Sequence, residues 1–288
     1  MILVRLNGGL GNQMFQYAFA KSLQLLHKKE VFLDISTFND GYRKYELFHF
    51  NITLPVATAE QLYDFQRKQE GLFQSLKDRL LPYHLKSNVI ERYYHFDRNL
   101  LKIKHKCTLN GYFQSEKYFK PFESTIRREF TFKHLPTSKN QELLQQIRQV
   151  SNATSVHIRR GDFVGNPVHP VQNETFLKKA VSILQSKIPN LHLFLFSNDI
   201  PWVKENLQFE VPFTIVDINN EESGFEDMRL MSACKHHIIA NSSFSWWGAW
   251  LNPNPNKIVI APAKWVDSQA KYYQNLEDII PEGWIKIA

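Results

Sequence analysis

Between Ser155 and Phe163 the sequence sets two guanidiniums, an imidazole and a carboxylate around one glycine, in the order His157-Ile158-Arg159-Arg160-Gly161-Asp162. A guanidinium is a rigid fork of donors that never loses its charge, so a pair of them suits the oxygens of a diphosphate. Residues 155–158 have the alternating, β-branched look of a short strand, and Gly161 ends it where a chain turns or comes close to a ligand. Both arginines are therefore expected at a strand end. The bland reading is a surface salt bridge. A second group of donors is Asn241-Ser242-Ser243-Phe244, where hydroxyls and the first N–H groups of a helix would form an anion cradle. A third is Asn7-Gly8-Gly9-Leu10-Gly11, a glycine-rich turn that feeds a helix N-terminus. It lacks the Gly-Lys-Ser/Thr of a phosphate loop and the full dinucleotide-binding fingerprint.

Hydrophobic periodicity supplies the elements that must hold these groups. Residues 1–6 read as a buried strand. Phe15, Ala18, Phe19, Ser22, Leu23 and Leu26 recur at three and four and predict a helix over 12–27. Residues 31–35 read as a second strand, completing a βαβ unit and hence a parallel sheet. Residues 36–58 carry little periodicity. A polar helix is expected over 61–81, stopped by Pro82, with basic and aromatic residues that could face a substrate or solvent. A strand is expected over 107–113 and a helix over 119–130. After Pro136-Thr137-Ser138 and a polar helix over 141–150 the rhythm becomes regular. Strands over 155–159, 191–197, 213–218, 237–240 and 257–261 alternate with helices over 174–187, 202–206, 226–234 and 244–251, as in a doubly wound sheet.

The expected fold is α/β in two domains, 1–148 and 149–288. In such sheets ligands bind outside the carboxyl ends of the strands, where Arg159-Arg160, Ser197-Asn198-Asp199 and Asn241-Ser242-Ser243 all fall. Trp246, Trp247 and Trp250 at helical spacing are expected to pack the sheet rather than stack on a base.

A net charge of +7 favours anionic partners. The excess is spread out, with no RNA-recognition or helix-turn-helix signature, so nucleic acid is not expected. Cys107 and Cys234 are far apart and suggest neither a disulfide framework nor a zinc site, which fits a reducing compartment. His236 and His237 end a helix and open a strand; one is expected as a charge at the helix's carboxyl end, and neither has metal-ligand partners at useful spacing. No apolar run approaches the roughly 18 to 20 residues of a membrane span. The first residues read as a strand rather than a signal peptide.

The block His157–Asp162 resembles the HxRRxD signature of α1,2- and α1,6-fucosyltransferases. Gly8-Gly9-Leu10-Gly11-Asn12-Gln13-Met14-Phe15-Gln16-Tyr17-Ala18 resembles the amino-terminal block of the α1,2-fucosyltransferase family, and Asn241-Ser242-Ser243-Phe244-Ser245-Trp246-Trp247 its carboxy-terminal block. Gly111-Tyr112-Phe113-Gln114-Ser115-Glu116-Lys117-Tyr118-Phe119 is similar to a fourth family segment. All four occur in the family's order and span most of the chain.

The resemblance is to the bacterial-type α1,2-fucosyltransferases of glycosyltransferase family 11. It implies a GT-B-like fold, two Rossmann-like α/β domains facing a cleft, with the acceptor on the N-terminal side and the donor site mainly in the C-terminal domain. It implies inverting transfer of L-fucose from GDP-β-L-fucose to the 2-hydroxyl of a terminal galactose or related hexose, on a free or lipid-linked glycan. Arg159, Arg160, Asn241, Ser242, Ser243, Phe244 and Gly11 would hold the donor, and Asp227 would read the guanine edge, as the matching acid does in related enzymes. Arg160, Asp162, His157 and Asn12 are the catalytic candidates. Asn12 and Gln13 could reach across the cleft to the diphosphate or the acceptor. Asp162 and His157 could each serve as base or as structural partners of the arginines, so the base stays unassigned. No Asp-x-Asp metal motif is present, and arginines can neutralise a leaving diphosphate, so no metal or other cofactor is expected. The Golgi members carry a membrane anchor; the form without one implies a cytoplasmic enzyme with at most peripheral membrane contact. A fucosyltransferase of another linkage and a non-catalytic nucleotide-binding module remain as alternatives, and the amino-terminal block favours the α1,2 family.

Overall fold

The structure is a computed structural model that describes residues 1–39, 43–69, 78–168, 170–266 and 276–288. The chain divides into two compact units, Met1–Lys133 with Gln274–Ile279 and His134–Tyr273 with Ile280–Ala288.

The first unit contains β1 (Ile2–Arg5), α1 (Leu10–His27), β2 (Val31–Asp34), α2 (Ala59–Gln69), β3 (Asn88–Ile90), β4 (Cys107–Asn110) and α3 (Glu123–Glu129). Its strands form a parallel sheet in the order β2-β1-β4-β3, with Val4 opposite both Leu33 and Leu109. Ile2, Leu3 and Val4 are buried one after another, as expected of a parallel strand covered on both faces. α1 begins at Leu10, before the residue expected from periodicity, so Gly11 and Asn12 belong to its first turn. It ends at Lys28, which adopts φ 51° and donates its N–H to Gln24 O. The helix expected over 61–81 is α2 as far as Gln69, and residues 70–77 lie outside the described ones. The strand expected over 107–113 stops at Asn110, because the chain turns at Gly111. The expected helix over 119–130 begins as tight turns at Glu116–Tyr118 and Lys120–Phe122, since Pro121 has no N–H for a helix interior; α3 starts only afterwards. β3, with a single buried residue, was too short to show a period.

The second unit contains α4 (Ser138–Gln149), β5 (Asn152–Ile158), α5 (Glu174–Gln185), β6 (Leu191–Ser197), α6 (Ile200–Asn206), β7 (Phe213–Ile215), α7 (Gly224–Ala233), β8 (His236–Ile238), α8 (Ser243–Leu251), β9 (Val259–Pro262) and β10 (Ile285–Ile287). All its strand pairs are parallel, in the order β10-β9-β8-β5-β6-β7. On one face Leu177, Val181 and Leu184 of α5 pack with Val156, Leu193 and Leu195. On the other, Leu143, Leu144 and Ile147 of α4 pack with Phe194, Phe196, Leu230 and Met231. That contact draws α4 into the second unit, so the division falls at Lys133/His134 and not at the 148/149 junction expected from the loop signals. Trp246 and Trp247 are fully buried and Trp250 nearly so, with Trp246 against the Trp284 ring at 5.6 Å, so the tryptophans pack the core as expected. Cys107 and Cys234 are buried free thiols.

His236 and His237 both lie within β8, and neither is the helix-end charge expected from the sequence. Burial lowers both imidazoles from the usual range, His237 strongly. His237 sits between Ser155 Oγ and Asn252 Nδ2, each at 2.7 Å. The Asn252 amide donates to Nε2, so the proton is on Nδ1 and is donated to Ser155. This Ser-His-Asn order has the outline of a nucleophilic triad, yet all three residues are buried and serve the sheet interior.

Candidate functional site

From β5 the second sheet is wound in both directions: β6 and β7 lie on one side, β8, β9 and β10 on the other. Neighbouring strands whose connections leave in opposite directions open a crevice at their carboxyl ends. Here β5 and β8 are those neighbours; β5 runs into Arg159-Arg160 and β8 into Asn241-Ser242.

Arg160 is held on three sides. Its backbone N–H donates to Asn198 Oδ1 at 2.9 Å, its Nε donates to Asp199 Oδ2 at 3.1 Å, and its guanidinium lies 3.9 Å from the centroid of the Trp202 ring. Asp199 is itself fixed as the cap of α6, accepting from Trp202 N at 3.2 Å and donating its own N–H to Ser197 Oγ at 3.0 Å. What remains is the terminal edge of the fork. The Arg160 side chain is only 18% exposed, and among the described residues neither terminal guanidinium nitrogen has a hydrogen-bond partner. Gly161 makes the close turn possible: at φ 31° a Cβ there would come within 2.2 Å of Asn198 Nδ2.

Arg159 takes Asp162 as its counter-ion, Nη2 to Oδ1 at 2.7 Å, and lies near the Phe163 ring. The two arginines are therefore not equivalent. Asp199 falls in the strand-end segment Ser197-Asn198-Asp199 already singled out from the sequence, but its role in orienting Arg160, and that of Trp202, lay outside that reading; the signal available was an Asp before Ile200-Pro201 at a strand end, the pattern of a capped helix.

Across the crevice, Asn241 is buried and its amide is fully used. Nδ2 donates to Pro170 O and Trp265 O at 3.1 and 2.9 Å, and Oδ1 accepts from Gln172 Nε2 at 2.5 Å. It fastens neighbouring segments to the strand end. Ser242 is the N-cap residue of α8 without a side-chain cap bond, and Ser242, Ser243 and Phe244 are half-buried. The Phe244 ring lies 5.7 Å from that of His157. His157 is 6% exposed, its Nδ1 has no partner among the described residues, and burial together with Arg159 pushes its pKa down to about 3. It is a neutral ring at ordinary pH and a weak proton acceptor. Asp227, in the first turn of α7, is pushed up to about 6 by burial, against the bond that Asn219 Nδ2 donates to its Oδ1 at 2.7 Å. Asn219 exchanges amide bonds with Asn140, so this carboxylate has a fixed orientation.

The remaining candidates belong to the first unit. Gly8 turns at φ 77° directly over Asn12, and Asn12 Oδ1 accepts from Gln114 Nε2 at 2.8 Å. Gly11 is buried in the first turn of α1. Gln13 is wholly buried, donating to Gly8 O and Lys44 O and accepting from Glu46 N, so its amide is spent inside its own unit instead of reaching a ligand. Among the described residues no cluster of His, Cys, Asp and Glu could hold a metal ion, and no helix is long and apolar enough to cross a membrane.

The chain matches the model of glycosyl transferase family 11 over residues 1–288. It is 32% identical to an α-1,2-colitosyltransferase of Escherichia coli, covering 100% of this chain and 99% of the relative. It is 32% identical to the O-antigen biosynthesis glycosyltransferase WbnK of Escherichia coli, covering 98% and 99%. The galactoside α-(1,2)-fucosyltransferase 2 of Rattus norvegicus is 26% identical over 87% of this chain and 67% of that relative. In fold, the fucosyltransferase NodZ from Bradyrhizobium superposes with a TM-score of 0.53 at 13% identity, covering 88% of this chain and 93% of that one. FUT1 of Arabidopsis thaliana in complex with GDP gives 0.51 at 11% identity, covering 90% and 69%. The GT-B-like α/β architecture expected from the resemblance is thus observed, and with a family match along its whole length the chain belongs to glycosyl transferase family 11.

Proposed function

We propose that this protein transfers L-fucose from GDP-fucose to the 2-hydroxyl of a terminal galactose or related hexose of a glycan, with inversion at the anomeric carbon. The observation that carries the reading is Arg160: an enclosed, permanently charged fork, oriented by Asp199 and Trp202, whose terminal donors have no partner among the described residues. Such donors complement the charge that grows on a leaving diphosphate. Ser242, Ser243 and the first N–H groups of α8 supply a second set, favoured by the positive end of the helix dipole. Asp227, oriented by Asn219, can accept from the two N–H groups on the guanine edge. We further propose that these cations replace a divalent metal, and that the enzyme works on the cytoplasmic side; two buried free thiols fit a reducing compartment.

The α1,2 linkage rests on the amino-terminal block and on two relatives whose names carry that linkage, and a glycan acceptor is supported by the O-antigen relative. The colitosyltransferase relative favours a second reading in which the donor is GDP-colitose.

The test is transfer of radiolabelled sugar from GDP-fucose, with GDP-colitose in parallel, to lactose and related galactosides in the presence of EDTA, comparing wild type with Arg160→Ala. Transfer of fucose by the wild type, lost in a folded Arg160→Ala, is expected. Transfer of colitose alone would replace the donor assignment, and a wild type that neither transfers nor binds GDP would overturn the reading.

A further inference from the structure

The whole of the net charge of +7 belongs to residues 1–133, which carry 21 Lys and Arg against 13 Asp and Glu, while residues 134–288 carry 14 against 15. Spread along the sequence, many of these cations are gathered by the fold. β1 to β4 are parallel, so the residues that lead into them lie at one end of the sheet. Lys28 and Lys29 lead into β2, Lys86 into β3, and Lys104 and Lys106 into β4, with Lys102 on the turn Leu100–Lys102 just before. Three contacts hold these segments side by side: Ile2 N donates to Glu30 O at 2.9 Å, His27 Nε2 to Leu101 O at 2.8 Å and His105 Nε2 to Lys86 O at 2.9 Å.

The six lysines are not spent on ion pairs. Lys102 donates to Asn99 Oδ1 at 3.1 Å and Lys106 lies 4.8 Å from the centroid of the Phe65 ring of α2, and among the described residues none of the six meets a carboxylate. Elsewhere in this unit Arg5, Lys21, Lys117, Lys120 and Arg127 each have one. The acids at the lysine end are Glu30, which is exposed, and Asp78, which accepts from Ser87 N and Oγ. The Asp78 bonds bring the neighbouring Leu80 to this end, where it is 91% exposed; Leu26 and Leu85, at the end of α1 and ahead of β3, are 45% and 44% exposed. Unmatched ammonium groups beside exposed leucines fit a surface that is anionic outside and apolar beneath. Lysine reaches lipid phosphates on its long stem, and leucine enters the acyl boundary. Nucleic acid is held instead by rings that stack on bases, for which leucine has no equivalent. The other end of the sheet is built differently: Gly8 turns over Asn12, and Glu91 after β3 accepts from Tyr112 N and Phe113 N, fixing the turn that follows β4.

We propose that the lysine-bearing end of the first sheet docks the protein on an anionic phospholipid bilayer, with Leu26, Leu80 and Leu85 entering the headgroup layer. The carboxyl ends of β1–β4, with the glycine turn after β1, then face away from the lipid. Docking needs neither donor nor acceptor, so it stands apart from the transfer reading above.

The experiment is cosedimentation of the full chain with vesicles of phosphatidylcholine, alone or mixed with phosphatidylglycerol, at low salt and at about 0.5 M NaCl, where charges are screened within a few Å. The wild type is expected on the mixed vesicles only, and salt should release it. Each lysine near an anionic surface raises partitioning about fivefold, so Lys29→Gln with Lys102→Gln and Lys104→Gln should lose about 100-fold at an unchanged thermal midpoint. Leu80→Ser should lose about 3- to 10-fold on mixed vesicles. Removing the same charge from the second unit, by Lys178→Gln with Lys187→Gln and Lys204→Gln, should leave partitioning within about threefold of wild type. Equal losses in the two triple variants would assign the effect to overall charge and overturn the proposal. So would a wild type that ignores both vesicles or binds both alike. Tighter binding to a DNA duplex than to mixed vesicles, with Leu80→Ser changing neither, would make the surface a nucleic-acid site and overturn it as well. Vesicle binding by a chain that transfers no sugar would uphold the docking face and fail only the transfer reading.

Discussion

Arg160 owes its character to its fixed neighbours. A carboxylate on Nε and an indole under the plane orient the fork while leaving its terminal donors to a ligand. Arg160→Ala is expected to weaken GDP binding about 10- to 100-fold by calorimetry, the worth of hydrogen bonds to a charged group, and Arg160→Lys should recover little because a point charge lacks the fork. Trp202→Leu keeps the charge but loses the stacking surface, and a loss of about 3- to 30-fold is expected in the same titration. Gly161→Ala, with Asn198 in the way and φ at 31°, should fold less stably and bind GDP poorly; unchanged binding would mean that the turn can relax. His157 belongs to the same scale. Its folded pKa lies below the unfolded value, so the unfolded chain binds the extra proton: its contribution is full above about pH 6.5 and is lost as pH falls towards 3. The wild type should lose about 2 kcal/mol between pH 7 and pH 5 from this residue alone, and His157→Phe should flatten that part of the profile in urea unfolding measured at several pH values.

At the scale of the element, α1 shows how a helix can be more than an apolar stripe. Its buried residues include Gln13, Gln16, Tyr17 and Lys21, which sequence periodicity left outside the predicted face. They are affordable because each finds a partner. Lys21 pairs with Glu129 of α3 at 3.0 Å, Glu129 also accepts from Tyr17 and from Thr53, and Thr53 N donates to the Tyr17 hydroxyl. Removing one member leaves a buried charge uncompensated, so Glu129→Ala should cost about 3–5 kcal/mol in chemical denaturation, while Lys21→Met with Glu129→Leu should recover much of that loss. The helix and the strand ends were legible in the sequence from three- and four-residue spacing and from glycines. The network was not, because its partners are separated by up to 112 residues along the chain and no local pattern links them.

For the whole molecule, a ligand that binds only the folded state stabilises it by mass action. GDP at a hundredfold excess over its dissociation constant should add about 2.7 kcal/mol to unfolding, seen as a raised thermal midpoint with GDP and not with ADP. Equal shifts with both nucleotides would remove Asp227 from guanine recognition. The two units also differ in how clearly they could be read. The second alternates strands and helices in long buried runs, so its order of elements was largely predictable. The first relies on the short strand β3 and on turns such as Gly111–Gln114, whose shape depends on Glu91, some twenty residues away in sequence, as well as on Gly111 itself.

By itself the sequence determined the α/β class, the parallel sheets, the buried tryptophans and the strand-end positions of Arg159-Arg160 and Asn241-Ser242. These follow from periodicity, glycine placement and residue chemistry, which are local along the chain. Tertiary structure alone decided that Arg159 is matched to Asp162 and Arg160 to Asp199, that His157, His236 and His237 are disfavoured as cations, and that Glu91 is a carboxylate held only by backbone amides. Counter-ions and desolvation are properties of the space around a side chain, and that space is assembled from segments distant in sequence.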